Sequence, residues 1–198
     1  MRFFGTFEPQ IHPERLEAPA HTKPNRNIPG KDRVFVGSMC DLFGSWVPNE
    51  WIYKVLDQVE KHPEWTFLFL TKNPRRYESI VFPDNAWIGA TVDTQARVKP
   101  AEEAMEKANA RIKFVSCEPL MGRVIFERPE LFDWFLIGSK SEGAKKVQPD
   151  SRWTQGIIAQ ARGAGKKVWL KDNLTPLDDQ PLIQESPEPE AGGGSRDD

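Results

Sequence analysis

The chain has 198 residues, 38% of them hydrophobic and 28% charged, with a formal net charge of −2. This length suits one domain with a tail and suffices to bury a core. The near-neutral charge excludes a protein-wide basic field, so contact with nucleic acid would need a local patch.

No apolar run approaches the roughly 20 residues of a membrane span, and the opening "MRFFGTFEPQIHPERLE" lacks the apolar stretch of a signal peptide. Cys40 and Cys117 make neither a disulfide framework nor a CxxC zinc pattern. The expectations are a cytoplasmic protein, no membrane contact and no metal ligands. Lone cysteines of this kind read as small buried hydrophobes, and His12, His21 and His62 show no metal-ligand spacing.

Residues 1–32 carry Pro9, Pro13, Pro19, Pro24 and Pro29, too closely spaced for a long helix, and read as an irregular segment packing on the domain that follows. Arg33–Gly37 is a short, nearly continuous apolar run, the pattern of a strand buried on both faces. It leads into Ser38, Cys40 and Asp41. From Pro48 and Asn49 a helix is predicted with Trp51, Ile52, Val55, Leu56 and Val59 on one face, stopping before Pro63.

A second strand, Thr66–Leu70, is followed by Thr71 and Lys72, and a short helix follows Asn73-Pro74. The third, Ala86–Val92, closes with Thr91 and Asp93. A helix then runs from Thr94 or Pro100 to Ala108, with Ala101, Ala104, Met105 and Ala108 inward. The fourth strand, Ile112–Ser116, is trailed by Cys117 and Glu118, and the stretch from Glu118 to Phe132 has a poor helical signal.

The fifth strand, Asp133–Gly138, precedes Ser139 and Lys140. The following "KSEGAKK" lacks the glycine spacing of a phosphate loop and reads as a mobile lid or surface loop. Asp150 or Ser151 caps a helix carrying Trp153, Ile157, Ile158 and Ala161, which Gly163 and Gly165 end. The sixth strand, Lys167–Leu170, gives way to Lys171, Asp172 and Asn173. Residues 175–198 are proline-rich and acidic, then glycine-rich, the composition of a disordered tail.

Strand alternating with helix over 33–174 implies a parallel sheet, either an open doubly wound sheet or a partial or complete (β/α) barrel. Every strand ends in polar residues, and in a parallel sheet those ends share one edge, where ligands bind. Ser, Thr, Asp and Asn there are explained equally well as helix caps. Lys and Glu are poor caps, so Lys72, Glu118, Lys140 and Lys171 point to an anionic or zwitterionic ligand. A doubly wound sheet would equip only the loops beside its switch point; polar residues at every strand favour the barrel. "TKNPRRY" offers Lys72, Arg75 and Arg76 either to phosphate or nucleic acid, with stacking on Tyr77, or simply to solvent.

The motifs "VFVGSMCDLFG", "TFLFLTKNPRRY", "NAWIGATVD", "FVSCEPLMG", "DWFLIGS" and "VWLKDNL", in this order, resemble a phage- and prophage-associated family of unknown function among the radical-SAM-like barrels. The resemblance covers roughly residues 9–174 and implies a partial TIM-like (β/α) barrel. It further implies a site for S-adenosylmethionine or a related nucleotide at the strand ends, with Ser38, Asp41, Thr91, Asp93 and Glu118 as cofactor contacts. Lys72, Arg75, Arg76, Lys140 and Lys171 would meet a carboxylate or another anion.

Longer members carry a first strand and a cysteine triad for a [4Fe–4S] cluster, and full-length members are expected to be radical enzymes. This sequence has two cysteines on different strands, so no radical chemistry is expected of it alone. Three alternatives stand beside that reading: a non-catalytic nucleic-acid or anion-binding module, a truncated gene product, and self-association through the exposed edge of the opening strand.

Overall fold

The computed structural model describes residues 9–25, 27, 28, 30–142, 145–177 and 181–187. Six parallel strands form one sheet: β1 (Arg33–Val36), β2 (Thr66–Thr71), β3 (Ala86–Thr91), β4 (Ile112–Cys117), β5 (Trp134–Ile137) and, last in the chain, β8 (Lys167–Leu170). Between β5 and β8 lies a separate antiparallel hairpin of β6 (Lys140–Glu142) and β7 (Lys145–Val147). Within "KSEGAKK", read from the sequence as a mobile lid or surface loop, the described residues belong to this hairpin, with Lys140 set opposite Val147. The two residues that join its strands lie outside the described ones.

The helices are α1 (Asn49–Lys61), α2 (Val98–Lys107) and α3 (Ser151–Gly163). The sheet order β1-β2-β3-β4-β5-β8 follows the chain without reversal. A doubly wound sheet must reverse direction at a switch point; the described strands show none. The fold is therefore mixed α/β, and its winding is that of a partial (β/α) barrel.

The chain divides into two compact units, the first formed by Met1–Thr91 and Lys99–Lys113, the second by Val92–Val98 and Phe114–Asp198. In the first, β1 pairs with β2 and β2 with β3. α1 buries Ile52, Leu56 and Val59, the i, i+4, i+7 stripe that its periodicity predicts. Phe43, Phe69, Tyr77 and Phe82 form an edge-to-face cluster, with Phe43 and Tyr77 4.7 Å apart. The buried Tyr77 hydroxyl donates to the Gly89 carbonyl at 3.0 Å, and burial raises its phenol well above the usual range. α2 turns Ala101, Ala104 and Met105 inward, as expected.

Asn85 closes the C-terminus of α1. Its side-chain amide donates to the carbonyl of Val59 in the last turn of α1 and to those of His62 and Trp65 in the turn beyond it, at 2.9, 3.0 and 3.0 Å, so it ties the helix end to the start of β2. Asn85→Ala is expected to cost about 1–3 kcal/mol. An unchanged urea midpoint would show that water replaces the amide without penalty.

In the second unit β4 pairs with β5, and β5 with β8. Phe126, Phe132 and Phe135 pack ring to ring at 5.3–5.8 Å. No α-helix forms between β4 and β5, consistent with the weak helical signal there. Instead, glutamine side chains hold 124–126 as an extended strip: Gln95 exchanges two hydrogen bonds with the Ile125 backbone, and Gln160 bonds the Phe126 amide and Val124 carbonyl. Asp150 is the N-cap of α3, accepting from the Arg152 amide. The Arg152 guanidinium and amide hold its carboxyl down at about 2.

Of the residues read as a tail, 181–187 are placed against β8. Leu170 N donates to Ile183 O at 2.7 Å, Glu185 N to Val168 O at 2.9 Å, and Trp169 bridges to Gln184 in antiparallel sense. Residues 178–180 and 188–198 lie outside the described residues. Among the described residues no helix is long and apolar enough to cross a membrane.

Candidate functional site

In the second unit, three strand ends bring side chains into contact. β4 runs directly into Glu118, β5 into Gly138 and Ser139, and β8 into Lys171 and Asn173. Strand pairing sets these ends side by side, with Cys117 opposite Ile137 and Ile137 opposite Leu170. The Glu118 carboxylate lies over Gly138, where an added Cβ would come within 2.7 Å of Oε1 and 2.8 Å of Cγ. Glycine here is what leaves room for the carboxylate.

Two donors converge on that carboxylate: the Lys171 ammonium on Oε2, and Asn173 Nδ2 on Oε1 at 3.1 Å. The pair is neither buried nor loose, since the Glu118 side chain is 24% exposed and that of Lys171 42%. Asn173 organises the rest. It accepts from the Ser139 amide at 3.1 Å and, through its own carbonyl, from Ser139 Oγ at 2.7 Å and Gln148 Nε2 at 2.9 Å. Lys140 is exposed at the start of the hairpin.

Asp93, just past β3, holds Arg97 through Nε at 2.8 Å, and its backbone carbonyl accepts from Met121 N. The Cys117 thiol is buried inside β4, its pKa pushed far up by desolvation and by Asp93. It is a core group, as expected of a lone cysteine, whereas Cys40, read the same way from the sequence, is instead exposed in the loop after β1.

The first unit presents the other predicted residues. Both Asp41 oxygens accept backbone amides, from Phe43 at 3.1 Å and Lys72 at 2.9 Å. The carboxylate thus ties the loop after β1 to the end of β2. Ser38, Cys40, Lys72 and Arg75 are exposed, and Thr91 is buried at the end of β3. The Arg76 guanidinium donates to the Gly44 and Val47 carbonyls at 2.6 and 2.7 Å and to Asn49 Oδ1, so it braces the entry to α1.

Sequence reasoning places Glu118 and Lys171 at strand ends but gives no role to Asn173, Gly138, Arg97 or Gln148. Asn173 and Gly138 sit in the strand-end positions where such residues collect. Arg97 and Gln148 carry no local signal, because their roles rest on side-chain and backbone groups that the fold brings to them.

The described side chains do not fit a [4Fe–4S] cluster. The chain has two cysteines, one of them enclosed in β4, where three thiolates are needed. No group of three His, Cys, Asp or Glu among the described residues is arranged to hold a metal ion.

Residues 3–175 match the sequence profile of a family described as a protein of unknown function, DUF5131. No curated protein and no solved structure matches the chain.

Proposed function

The chain belongs to this family of unknown function, and on that premise we propose that its strand-end cluster is a binding site for S-adenosylmethionine or a related nucleoside ligand. The observation carrying this reading is the half-exposed Glu118–Lys171 pair, held over Gly138 by Asn173. A carboxylate accepts from an ammonium or a ribose hydroxyl, and a lysine meets a carboxylate or phosphate. An ion pair open to solvent can exchange its internal contact for those of a zwitterionic ligand at little net cost.

The motif resemblance supplies the adenosyl class and the radical-SAM-like character. The described side chains supply no cluster ligands, so no radical step is derived, and the activity assigned to this chain is binding. The second reading, an anion or nucleic-acid surface of Lys72, Arg75, Arg76 and Lys140, has less support because Arg76 is committed to the 44–49 loop. Binding to single-stranded DNA that weakens steeply with added salt would revive it.

Isothermal titration with S-adenosylmethionine, S-adenosylhomocysteine and adenosine tests the site. Saturable binding is expected, weakened about tenfold by Glu118→Gln, the loss of one charge-assisted contact. Absence of heat and of any melting shift at millimolar ligand would reject the reading.

A further inference from the structure

The strand that ends the order in the second unit, β8, is covered more specifically than edge protection requires. Any extended main chain blunts an edge strand. Residues 183–185 do so in antiparallel sense, with Leu170 N donating to Ile183 O at 2.7 Å and Glu185 N to Val168 O at 2.9 Å.

Both side chains of Gln184 and Glu185 are read as well. Gln184 Nε2 donates to Asp172 Oδ1 at 2.6 Å and to Leu170 O at 3.3 Å. Arg162 grips the two Glu185 carboxylate oxygens at 2.7 Å each, and the Val168 amide adds a donor at 3.2 Å. Trp134 Nε1 donates to the Glu185 carbonyl at 2.7 Å. Pro181 and Pro187, which have no amide hydrogen, bracket the strand-like stretch.

We infer that the outer edge of β8 is a recognition site for an extended segment of a partner protein with the pattern aliphatic-Gln-Glu, and that residues 183–185 occupy it in cis until that partner displaces them. The division of labour is that of strand addition, in which main-chain bonds supply affinity and side-chain contacts supply selectivity. A guanidinium fork selects a carboxylate, so a lysine in place of Glu185 would face Arg162 as a like charge. A glutamate in place of Gln184 would likewise face Asp172. Nothing that holds the segment depends on its covalent connection, since every bond is made by groups that another chain of this pattern also carries. The connection adds only effective concentration, in the millimolar range for a short tether. The site is therefore closed by default and opens when the cis segment is weakened or outcompeted.

The test uses the full chain, its Glu185→Pro variant and a fluorescein-labelled peptide of sequence Pro-Leu-Ile-Gln-Glu-Ser-Pro, read by anisotropy. Glu185→Pro removes the amide that bonds Val168 and the carboxylate that Arg162 grips, so it frees the edge. Saturable binding to this variant is expected, at least tenfold tighter than to the wild type, where the cis segment competes. Changing the peptide's Glu to Gln should weaken binding about three- to fivefold, the scale of an exposed ion pair. Adding Arg162→Gln to the variant should erase that difference. Proline in place of the peptide's Glu should abolish binding.

Three results would overturn the inference: no binding of the variant at millimolar peptide, binding indifferent to proline, or a wild-type dimer in light scattering that Glu185→Pro dissociates. The last would mean that the segment serves a second copy of the chain instead of a foreign partner. Should Glu185→Pro melt below room temperature, the peptide must raise its melting midpoint, and an unmoved midpoint overturns the inference equally. None of these readouts uses Glu118 or Lys171, so they stand or fall separately from the strand-end ligand site.

Discussion

Gly138→Val is expected to abolish adenosyl-ligand binding while leaving a folded protein. Even the first carbon of a side chain at this position would lie 2.7–2.8 Å from Glu118 Oε1, Cδ and Cγ. The carboxylate must therefore swing away, and valine's two methyls extend the conflict. Swinging away separates Glu118 from both Lys171 and Asn173, whereas the Asn173–Ser139 bonds, which do not involve the carboxylate, remain. The stability cost is about 1–3 kcal/mol, the range for an extra side chain forced into a packed site.

The loss of affinity should exceed that of Glu118→Gln, which keeps the shape and removes only the charge. Adding Glu118→Gln to the Gly138→Val protein should change little further, because both substitutions act through one group. Titration calorimetry of the single and double variants decides the matter. Wild-type affinity in Gly138→Val would mean that the ligand does not use Glu118.

Truncation after Leu177 is expected to lower stability by about 3 kcal/mol, the sum of three or so net hydrogen bonds. It removes the acceptor of the Leu170 amide, the donor to Val168 and the carbonyl that accepts from Trp134 Nε1 at 2.7 Å. It also exposes the edge of β8, so the truncated chain should aggregate more readily on heating.

The acid limb of the stability curve isolates Glu185. Its carboxyl is held below the usual range, first by the Arg162 side-chain bonds and then by the Val168 amide, against an opposing desolvation effect; Arg162 and Lys167 add charge attraction. Nearby Lys166 is paired with Asp133. A depressed carboxyl stabilises fully above its unfolded pKa of about 4.3. That contribution disappears as pH falls through the lower folded value.

Glu185→Gln should therefore cost stability near neutral pH and converge on the wild type in acid. The Glu185 side chain is 35% exposed, so solvent screening holds its share to about 1 kcal/mol or less. Denaturant melts from about pH 2 to about pH 7, which bracket that carboxyl's titration, give the answer. Parallel curves for the two proteins would show that the ion pair contributes nothing.

Much of the fold is legible in local sequence. Phe67, Leu68 and Phe69 in β2, or Trp134 and Phe135 in β5, make short runs typical of a strand buried on both faces. β1, read the same way, is not one: none of its four residues is buried and Phe35 is 48% exposed, because it lies at the end of the strand order. Ala101, Ala104 and Met105 fall on one helical face whatever the helix packs against. Polar residues follow each run because an apolar strand must end somewhere wet or capped. The hairpin at Lys140 is not legible, because its alternation is only three residues long on each side. Nor is the strand-like segment at 183–185, whose composition is that of a tail.

The number, type and order of the main elements follow from the amino-acid sequence without reference to anything distant, since hydrophobic periodicity and caps act over a few residues. Which polar groups meet is settled only in three dimensions. Lys171 and Asn173 reach Glu118 across 53 and 55 residues of chain, and Arg76 is directed into the 44–49 loop rather than outward. Such partners are chosen by which backbones lie adjacent after the sheet has formed, and no short-range pattern records that adjacency. Glycine at 138 belongs to both levels: its place after β5 can be read from the sequence, but its purpose is visible only once Glu118 lies across it.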